Sequence, residues 1–509
     1  MSELLAGAGL LTAAGASAAA ILLPPGRARA AAMLAAIALF PVLILGDQWH
    51  TVQIADLRHD EARIAALLAI AAVSIAALAA AFRRWPILLP LAIVAALPFR
   101  VPLHAGGDTA NLLVPLYWVI AAGALAASLR DWTAAPAVTG PAGRWLPRLL
   151  AAVVCLYALQ TLYSEDFSKG LQNVCFFLVP FTVAYRLLRE AEWDRRLLTL
   201  LLWVVGIEAA AFVLVGSVEY VTRDLFWNDQ VIRSNEFHTY FRVNSVFWDP
   251  NVYGRYLALV IVVATAALLW ARERRSFALL TVLIGVLWLG LAQTFSQSSF
   301  IALLAGLAVL AAIRWSWKWT LAAVGVGIVA AALTIVFVGG SDEVTWDRLN
   351  IDFSGRGNLV SGGLELFSER PIQGYGSGSF QAAYRDHREN KDVPVSISHT
   401  EPVTVAAEQG LIGLALYIAL IVVALWTMTA GIRGPPVGSV EGESCGRGKL
   451  APFSDSPSTL LAGRAAVLAA FVALLVHTMA YAGFFEDPIT WVLLAIGVSL
   501  APPAVRDSA

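Results

Sequence analysis

The 509-residue chain is 59% hydrophobic and 14% charged, with a mean hydropathy of +0.71. Soluble domains are about 45–50% apolar and about 25% charged, so these figures exclude a water-soluble enzyme and a disordered chain. The 35 Lys and Arg against 36 Asp and Glu leave a net charge of −1, which argues against a nucleic-acid partner, since that would need a basic face.

A bilayer core of about 30 Å takes roughly 20 apolar residues in a helix. By that measure the chain predicts an all-α, polytopic transmembrane helix bundle of about 12–15 spans. They fall near 4–23, 31–46, 64–82, 86–99, 112–128, 147–163, 173–188, 198–217, 253–270, 277–294, 299–313, 320–338, 403–429, 465–482 and 489–504. The first begins Met1-Ser2-Glu3 with no basic flank and the second follows at once, which reads as a retained span and not a signal peptide. Cys155, Cys175 and Cys445 form no CxxC pair and no even framework, so they suggest neither disulfides nor a cysteine-ligated metal.

Positive charge orients the set, because cytoplasmic loops retain Arg and Lys. Arg27/Arg29, Arg83/Arg84, Arg130/Arg144/Arg148, Arg186/Arg189/Arg195/Arg196, Arg272/Arg274/Arg275, Arg314/Lys318 and Arg433/Arg447/Lys449/Arg464 occupy every second connection. Placing these inside leaves 47–62, 100–111, 164–172, 218–251, 295–298, 339–402 and 483–488 outside, with the C-terminus inside and, if all fifteen spans cross, the N-terminus outside. Two outer connections, 218–251 and 339–402, are much longer than most others on that face. Both are rich in polar and aromatic residues, the composition of loops that carry function. The inner connection 431–464 has the composition of a disordered linker.

The first long loop ends at Arg242-Val-Asn-Ser-Val-Phe-Trp-Asp249-Pro-Asn251-Val-Tyr-Gly-Arg255. Asp249-Pro250-Asn251 is turn and capping chemistry for a helix that starts near 252, which sets Arg242 at the membrane surface as a candidate anion ligand. Asn251 is a candidate substrate contact on the same turn. Arg255 falls inside an apolar span, where a charge marks a functional or paired site. The second long loop carries Ser354-Gly-Arg356 and Glu369-Arg370-Pro-Ile-Gln-Gly374-Tyr-Gly376-Ser-Gly378. Glycine-rich backbone can approach a phosphate closely, although this run lacks the strand and helix register of a nucleotide fingerprint. His399 stands where the loop re-enters the membrane, able to exchange a proton or to donate to an oxyanion, and Glu408 follows two to three turns into the next helix. The histidines show no HxH or HExxH spacing, so no metal is expected. Asp386-His387-Arg388-Glu389 reads as a solvated helix face.

Taken in order, several segments resemble the O-antigen ligase and O-antigen polymerase superfamily of bacterial membrane glycosyltransferases. They are Arg242–Gly254, Thr294-Phe-Ser-Gln-Ser-Ser299, Ser354-Gly-Arg356, Glu369–Phe380, His399-Thr-Glu401, Glu408-Gln-Gly-Leu-Ile-Gly413 and Phe484-Phe-Glu-Asp-Pro488. The resemblance covers about 240–495. It implies a metal-independent enzyme without a cofactor at the outer face of the cytoplasmic membrane, in the route of cell-envelope polysaccharide such as lipopolysaccharide. The implied donor is a glycan on undecaprenyl pyrophosphate, and the acceptor a hydroxyl on lipid A-core, another glycan or a protein. Arg242 and Arg356 would hold the pyrophosphate, and His399 would assist transfer as a base or as a phosphate ligand. Thr400 stands where the family often has Asn, and Gln297 where a small residue and Arg are frequent, which makes Arg255 or Arg370 a substitute phosphate ligand. The domain division that follows is a transmembrane extension at 1–100, a core at 101–338, the large loop at 339–402 with short helices, and C-terminal helices at 403–504. A polymerase extending lipid-linked repeats would share these residues and differ in acceptor. A polysaccharide transporter or lipid flippase is the competing class; it calls for ionisable residues and broken helices at mid-membrane, and the spans hold little beyond Glu208, Arg255 and Glu408.

Overall fold

The computed structural model describes residues 3–51, 60–105, 108–133, 145–237, 240–338, 356–387, 398–432 and 457–502. The architecture is the expected all-α bundle of a multi-pass membrane protein. Among the described residues ten helices are long and apolar enough to cross a bilayer. In hydrocarbon every backbone N–H and C=O must be satisfied within its own segment, so near-continuous runs of Ala, Leu, Val and Ile become helices.

In chain order the helices begin with α1 (Glu3–Leu22), α2 (Arg27–Asp47), α3 (Glu61–Arg84) and α4 (Leu88–Ala96). A two-stranded antiparallel hairpin follows, β1 (Val101–Ala105) with β2 (Asp108–Leu112). Next come α5 (Val114–Thr133), α6 (Leu146–Thr161), α7 (Phe167–Arg189, with a π-helical turn at Val174–Leu178), α8 (Arg195–Thr222) and the short α9 (Asp229–Phe237). Then stand α10 (Pro250–Leu269), α11 (Arg274–Thr294), α12 (Gln297–Ala311) and α13 (Trp317–Val338). The large loop contributes α14 (Arg356–Glu369) and α15 (Phe380–Asp386), and the chain closes with α16 (Glu401–Thr429), α17 (Pro457–Thr478) and α18 (Pro488–Ser499).

Every expected span falls on a helix, with two corrections. The span expected over 86–99 is only Leu88–Ala96, too short to cross alone at 1.5 Å per residue. Pro98 lacks the N–H that would continue it, and the connection expected at 100–111 pairs as the hairpin, whose strands flank a Gly106-Gly107 step of hairpin composition. The inner connection expected at 314–319 is not a break: Ala312–Ser316 is a π-helical turn that joins α12 to α13, as a segment without Gly or Pro permits.

Aspartates start several helices by accepting a backbone N–H. Asp166 takes that of Lys169, Asp194 that of Leu197, Asp249 that of Asn251 at 2.6 Å, and Asp487 that of Ile489 at 2.9 Å. Small residues bring the central helices together: a Cβ at Gly254 of α10 would lie 2.7 Å from Ser299 Oγ, and one at Gly306 of α12 2.6 Å from the Val262 side chain. Arginines of three connections meet at one end. There the buried Arg29 pairs with Asp131 (Nε–Oδ2 2.5 Å) and Glu190 (Nη1–Oε1 2.7 Å), and Glu190 also takes Arg186 and Arg130. Residues 164–169, 249–255, 374–380, 399–410 and 481–487 meet at the other.

Candidate active site

The site is built on a break in α16. Gly410 has φ 64° and ψ −162°, a conformation closed to L side chains, and a Cβ there would lie 2.2 Å from the Ile372 carbonyl oxygen. Four of the polar groups at the break have partners from other segments. The carbonyls of Ala407 and Glu408 accept from the backbone N–H of Tyr375 (3.1 Å) and Gly376 (2.8 Å), the Leu411 N–H donates to Pro371 O (2.7 Å), and Gln160 Nε2 donates to Gln409 O (3.1 Å). Gly374, Gly376 and Gly378 all have positive φ, at 67°, 96° and 81°, so the glycine run is the clamp that fits the break. Gly374 spends its N–H on Arg370 O and Gly376 on Glu408 O; neither faces the cavity described next. Gly378 does line it, donating its N–H to Glu408 Oε2 at 2.8 Å while Phe380 N–H donates to Oε1 at 3.1 Å.

Beneath the clamp is a cavity of about 340 Å³, walled by residues of α6, α7, α10, α16 and the segment before α18. It brings together three of the residues expected from sequence, His399, Arg255 and Glu408, with Arg100, Lys169, Glu401, Tyr481, Glu486 and Asp487. The buried Arg255 directs Nη2 at Asp487 Oδ2 (2.8 Å), while its Nε and Nη1 are buried with no hydrogen-bond partner among the described residues. The carboxylates are engaged differently. Glu401 Oε2 accepts the N–H of Gly483 (2.7 Å) and Phe484 (3.0 Å), Glu408 holds the glycine clamp, Asp487 caps α18, and Glu486 Oε1 accepts from Asn173 Nδ2 (3.2 Å). Free guanidinium donors beside occupied carboxylates suit an anion. Arg100 interacts electrostatically with Asp487, Arg255 and Tyr481. Tyr481 is the hub: its ring lies 6.0 Å from that of His399 and 5.9 Å from that of His477, with the Arg255 guanidinium 6.0 Å from its centre. His399, half-buried on the wall, holds a left-handed backbone (φ 60°) just before α16.

Other expected residues stand outside this cavity. Arg242 donates from Nε to Thr294 O (2.9 Å) and from Nη2 to Asn251 Oδ1 (3.0 Å). Asn251 Oδ1 also accepts from Ser296 Oγ (2.9 Å), which bonds Ser299 Oγ (2.8 Å) in turn. This chain reaches His477 Nε2 through Ser298 and Ser299 at 3.3 and 3.4 Å, so Arg242 and Asn251 fix the segments that carry Arg255. Arg370 lies over the Tyr375 ring (4.0 Å) and pairs with Glu165 (3.1 Å) on the outside of the clamp. Arg356 begins α14; its side chain, like Ser354, Gly355, Arg388 and Glu389, lies outside the described residues. His387, expected on a solvated face, pairs with Glu369 at 2.9 Å. Hydrogen bonds from Tyr375 and His387 hold the Glu369 carboxyl below its usual range, and the Ala383 carbonyl followed by Glu369 raises the His387 imidazole.

Sequence reasoning passed over Arg100, Lys169, Tyr481, Glu486 and Asp487 as site residues. A signal existed for Arg100, the one arginine in the outer connection 100–111, and for Glu486-Asp487 within the Phe484–Pro488 motif.

No curated protein matches the chain. Residues 284–418 match the family model described as O-antigen ligase, Wzy_C, a stretch that holds Arg356, Arg370, the glycine clamp, His399 and Glu408 but neither Arg242, Arg255 nor Asp487. That match, on a bundle of membrane-spanning helices, supports the O-antigen ligase superfamily as the group to which this chain is related.

Proposed function

We propose that the protein transfers a glycan from a polyprenyl-pyrophosphate carrier to an acceptor hydroxyl, in the cavity at the end opposite the arginine-rich connections. The observation that carries this reading is the pair of buried, unpartnered N–H groups on Arg255, set beside Arg100 and His399. The superfamily likeness supports a membrane glycan-transferring enzyme; the donor, the acceptor and the face are inferred from the site.

In the reaction the acceptor oxygen attacks the anomeric carbon and the bond from that carbon to the pyrophosphate breaks, its electron pair staying on the phosphate oxygen. Charge grows on the leaving group in the transition state. Arg255 and Arg100, held in place before substrate arrives, stabilise it in a water-poor cavity where fixed donors are most effective. Asp487 holds Arg255 oriented until the phosphate binds. His399 takes the proton of the acceptor hydroxyl. The donor is already activated, so no nucleotide site is required, and metal independence belongs to the same reading.

The test is transfer by the purified protein with a lipid-linked glycan donor and a glycan acceptor. Arg100→Ala is expected to lower turnover by about 10²–10³, the usual effect of removing one charge-stabilising donor, with Arg100→Lys intermediate. A chelator is expected to leave the rate unchanged. Full activity in Arg100→Ala, or activity lost to chelator and restored by a cation, would sink the mechanism. Deleting the protein and analysing envelope glycans then separates ligase from polymerase: accumulated lipid-linked long chains mark the first, accumulated single repeats the second.

A further inference from the structure

A polar cluster lies beside the cavity, and the transfer chemistry given above does not use it. Three helix ends converge there: the first turns of α10 and α12 and the last turn of α17. Ser296, Ser298, Ser299 and His477 are all buried. Ser296 Oγ lies 2.8 Å from Ser299 Oγ and 3.2 Å from Ser298 Oγ, and His477 Nε2 lies 3.3 Å from Ser298 Oγ and 3.4 Å from Ser299 Oγ. On one side the cluster holds Asn251. Its Oδ1 accepts from Ser296 Oγ and from Arg242 Nη2, and its backbone carbonyl accepts from Ser299 Oγ at 3.4 Å. A Cβ on Gly254 would meet Ser299 Oγ at 2.7 Å, so the cluster also presses on the residue just before Arg255. On the other side the His477 carbonyl accepts the Tyr481 N–H at 3.0 Å, and the two rings stand 5.9 Å apart. Tyr481 in turn faces His399 and Arg255 across the cavity wall.

Polar side chains are costly in an apolar bundle unless each finds a partner. What a satisfied network adds is direction: it specifies one relative placement of the helices that carry it, where aliphatic packing tolerates small slides. Placement decides rate here, because displacing a reacting or charge-stabilising group by about 1 Å can cost about 10²-fold. We infer that His477 is a positioning residue for the transfer reaction. Through Ser296, Ser298 and Ser299 it locks the start of α10, and with it Arg255, to the Tyr481 side of the cavity, and Arg242 acts on the reaction through the same chain. His477 itself touches neither donor nor acceptor. The inference rests on the donor reading given above.

Purified wild-type protein and its variants are assayed with the lipid-linked donor. A wild type that transfers nothing from that donor would sink the donor reading and this inference with it. His477→Gln keeps a hydrogen-bonding group toward the serines and is expected to retain most of the turnover. His477→Phe keeps a ring beside Tyr481 without the hydrogen bonds and is expected to lower kcat by about 10²-fold. KM for the donor should change little, the mark of an interaction realised in the transition state. Equal activity in the two variants, or a loss confined to KM, would overturn the inference. Asn251→Ala and His477→Phe act at two ends of one chain, so the double variant is expected to lose no more than the worse single variant; losses that multiply would also overturn it. Ser299→Ala, a milder change, guards against misfolding. It is expected to keep the wild-type inactivation temperature closely and to lower kcat about fivefold, the effect of one buried hydrogen bond; a folded Ser299→Ala with wild-type turnover would count against the chain and overturn it.

Discussion

His399 adopts a left-handed backbone that most L residues avoid, and asparagine is among the few that enter it readily. His399→Asn therefore keeps the chain path and an N–H donor while removing proton exchange, and His399→Ala removes both. Because Arg100 and Arg255 already supply donors to a phosphate, the expected result is that both variants lose turnover alike, by about 10²–10⁴. Substantial activity in His399→Asn alone would make the imidazole a phosphate ligand and not a base. At this scale the sequence was informative where a charge broke an apolar pattern, as at Arg255, or stood at a loop boundary, as at His399. Arg242 and Asn251 were also legible, as an anion-ligand candidate and a residue of the turn that starts α10, but their partners, Thr294 O and Ser296 Oγ, come from another connection, and only the fold reveals that they hold the frame. Arg100 carried a signal as the one arginine of its outer connection, but its place beside the distant Arg255 and Asp487 emerges only in the fold.

The broken helix α16 and the glycine clamp form one device made from two stretches of sequence. Read separately, Gly374-Tyr-Gly376-Ser-Gly378 is a turn and Glu408-Gln-Gly410-Leu-Ile-Gly413 is part of a span. Their complementarity lies in backbone hydrogen bonds between them, such as Gly376 N–H to Glu408 O, which no local pattern encodes. A transporter or flippase also calls for a broken helix, and α16 is interrupted at Gly410. The interruption lies beside the cavity and four of its polar groups have partners from other segments, which suits a fixed platform for Glu401 and Glu408. Gly410→Ala is expected to destabilise the protein by about 3 kcal/mol or more, from backbone strain added to collision with the Ile372 carbonyl, and to abolish transfer. Thermal inactivation in detergent measures it, and a variant as stable and active as the wild type would refute the clamp. The short α4 and the β hairpin are the elements that sequence periodicity misjudged, because fourteen apolar residues were counted as a span without regard to Pro98.

At the scale of the whole molecule, arginines of three connections expected on one side share an end. Arg29, Arg130 and Arg186, all expected on the inner side, do meet in one network around Glu190. What the alternation could not give is that Arg29 is buried and that Asp131 is its partner. Removing one member of a buried pair leaves the other charge stranded. Arg29→Met is thus expected to cost about 3–5 kcal/mol, and Arg29→Met with Asp131→Leu to recover most of the loss, as read from inactivation temperature; additive losses would argue that the two do not act as a pair. The same pair bears on how the protein is made. Asp131 lies 102 residues after Arg29, so when the first helical hairpin leaves the ribosome the acid that neutralises its buried arginine has not been synthesised. Until α5 has entered the bilayer Arg29 has no Asp131 to face, so the pair that fastens α2 to α5 can close only after the first hairpin is already in place.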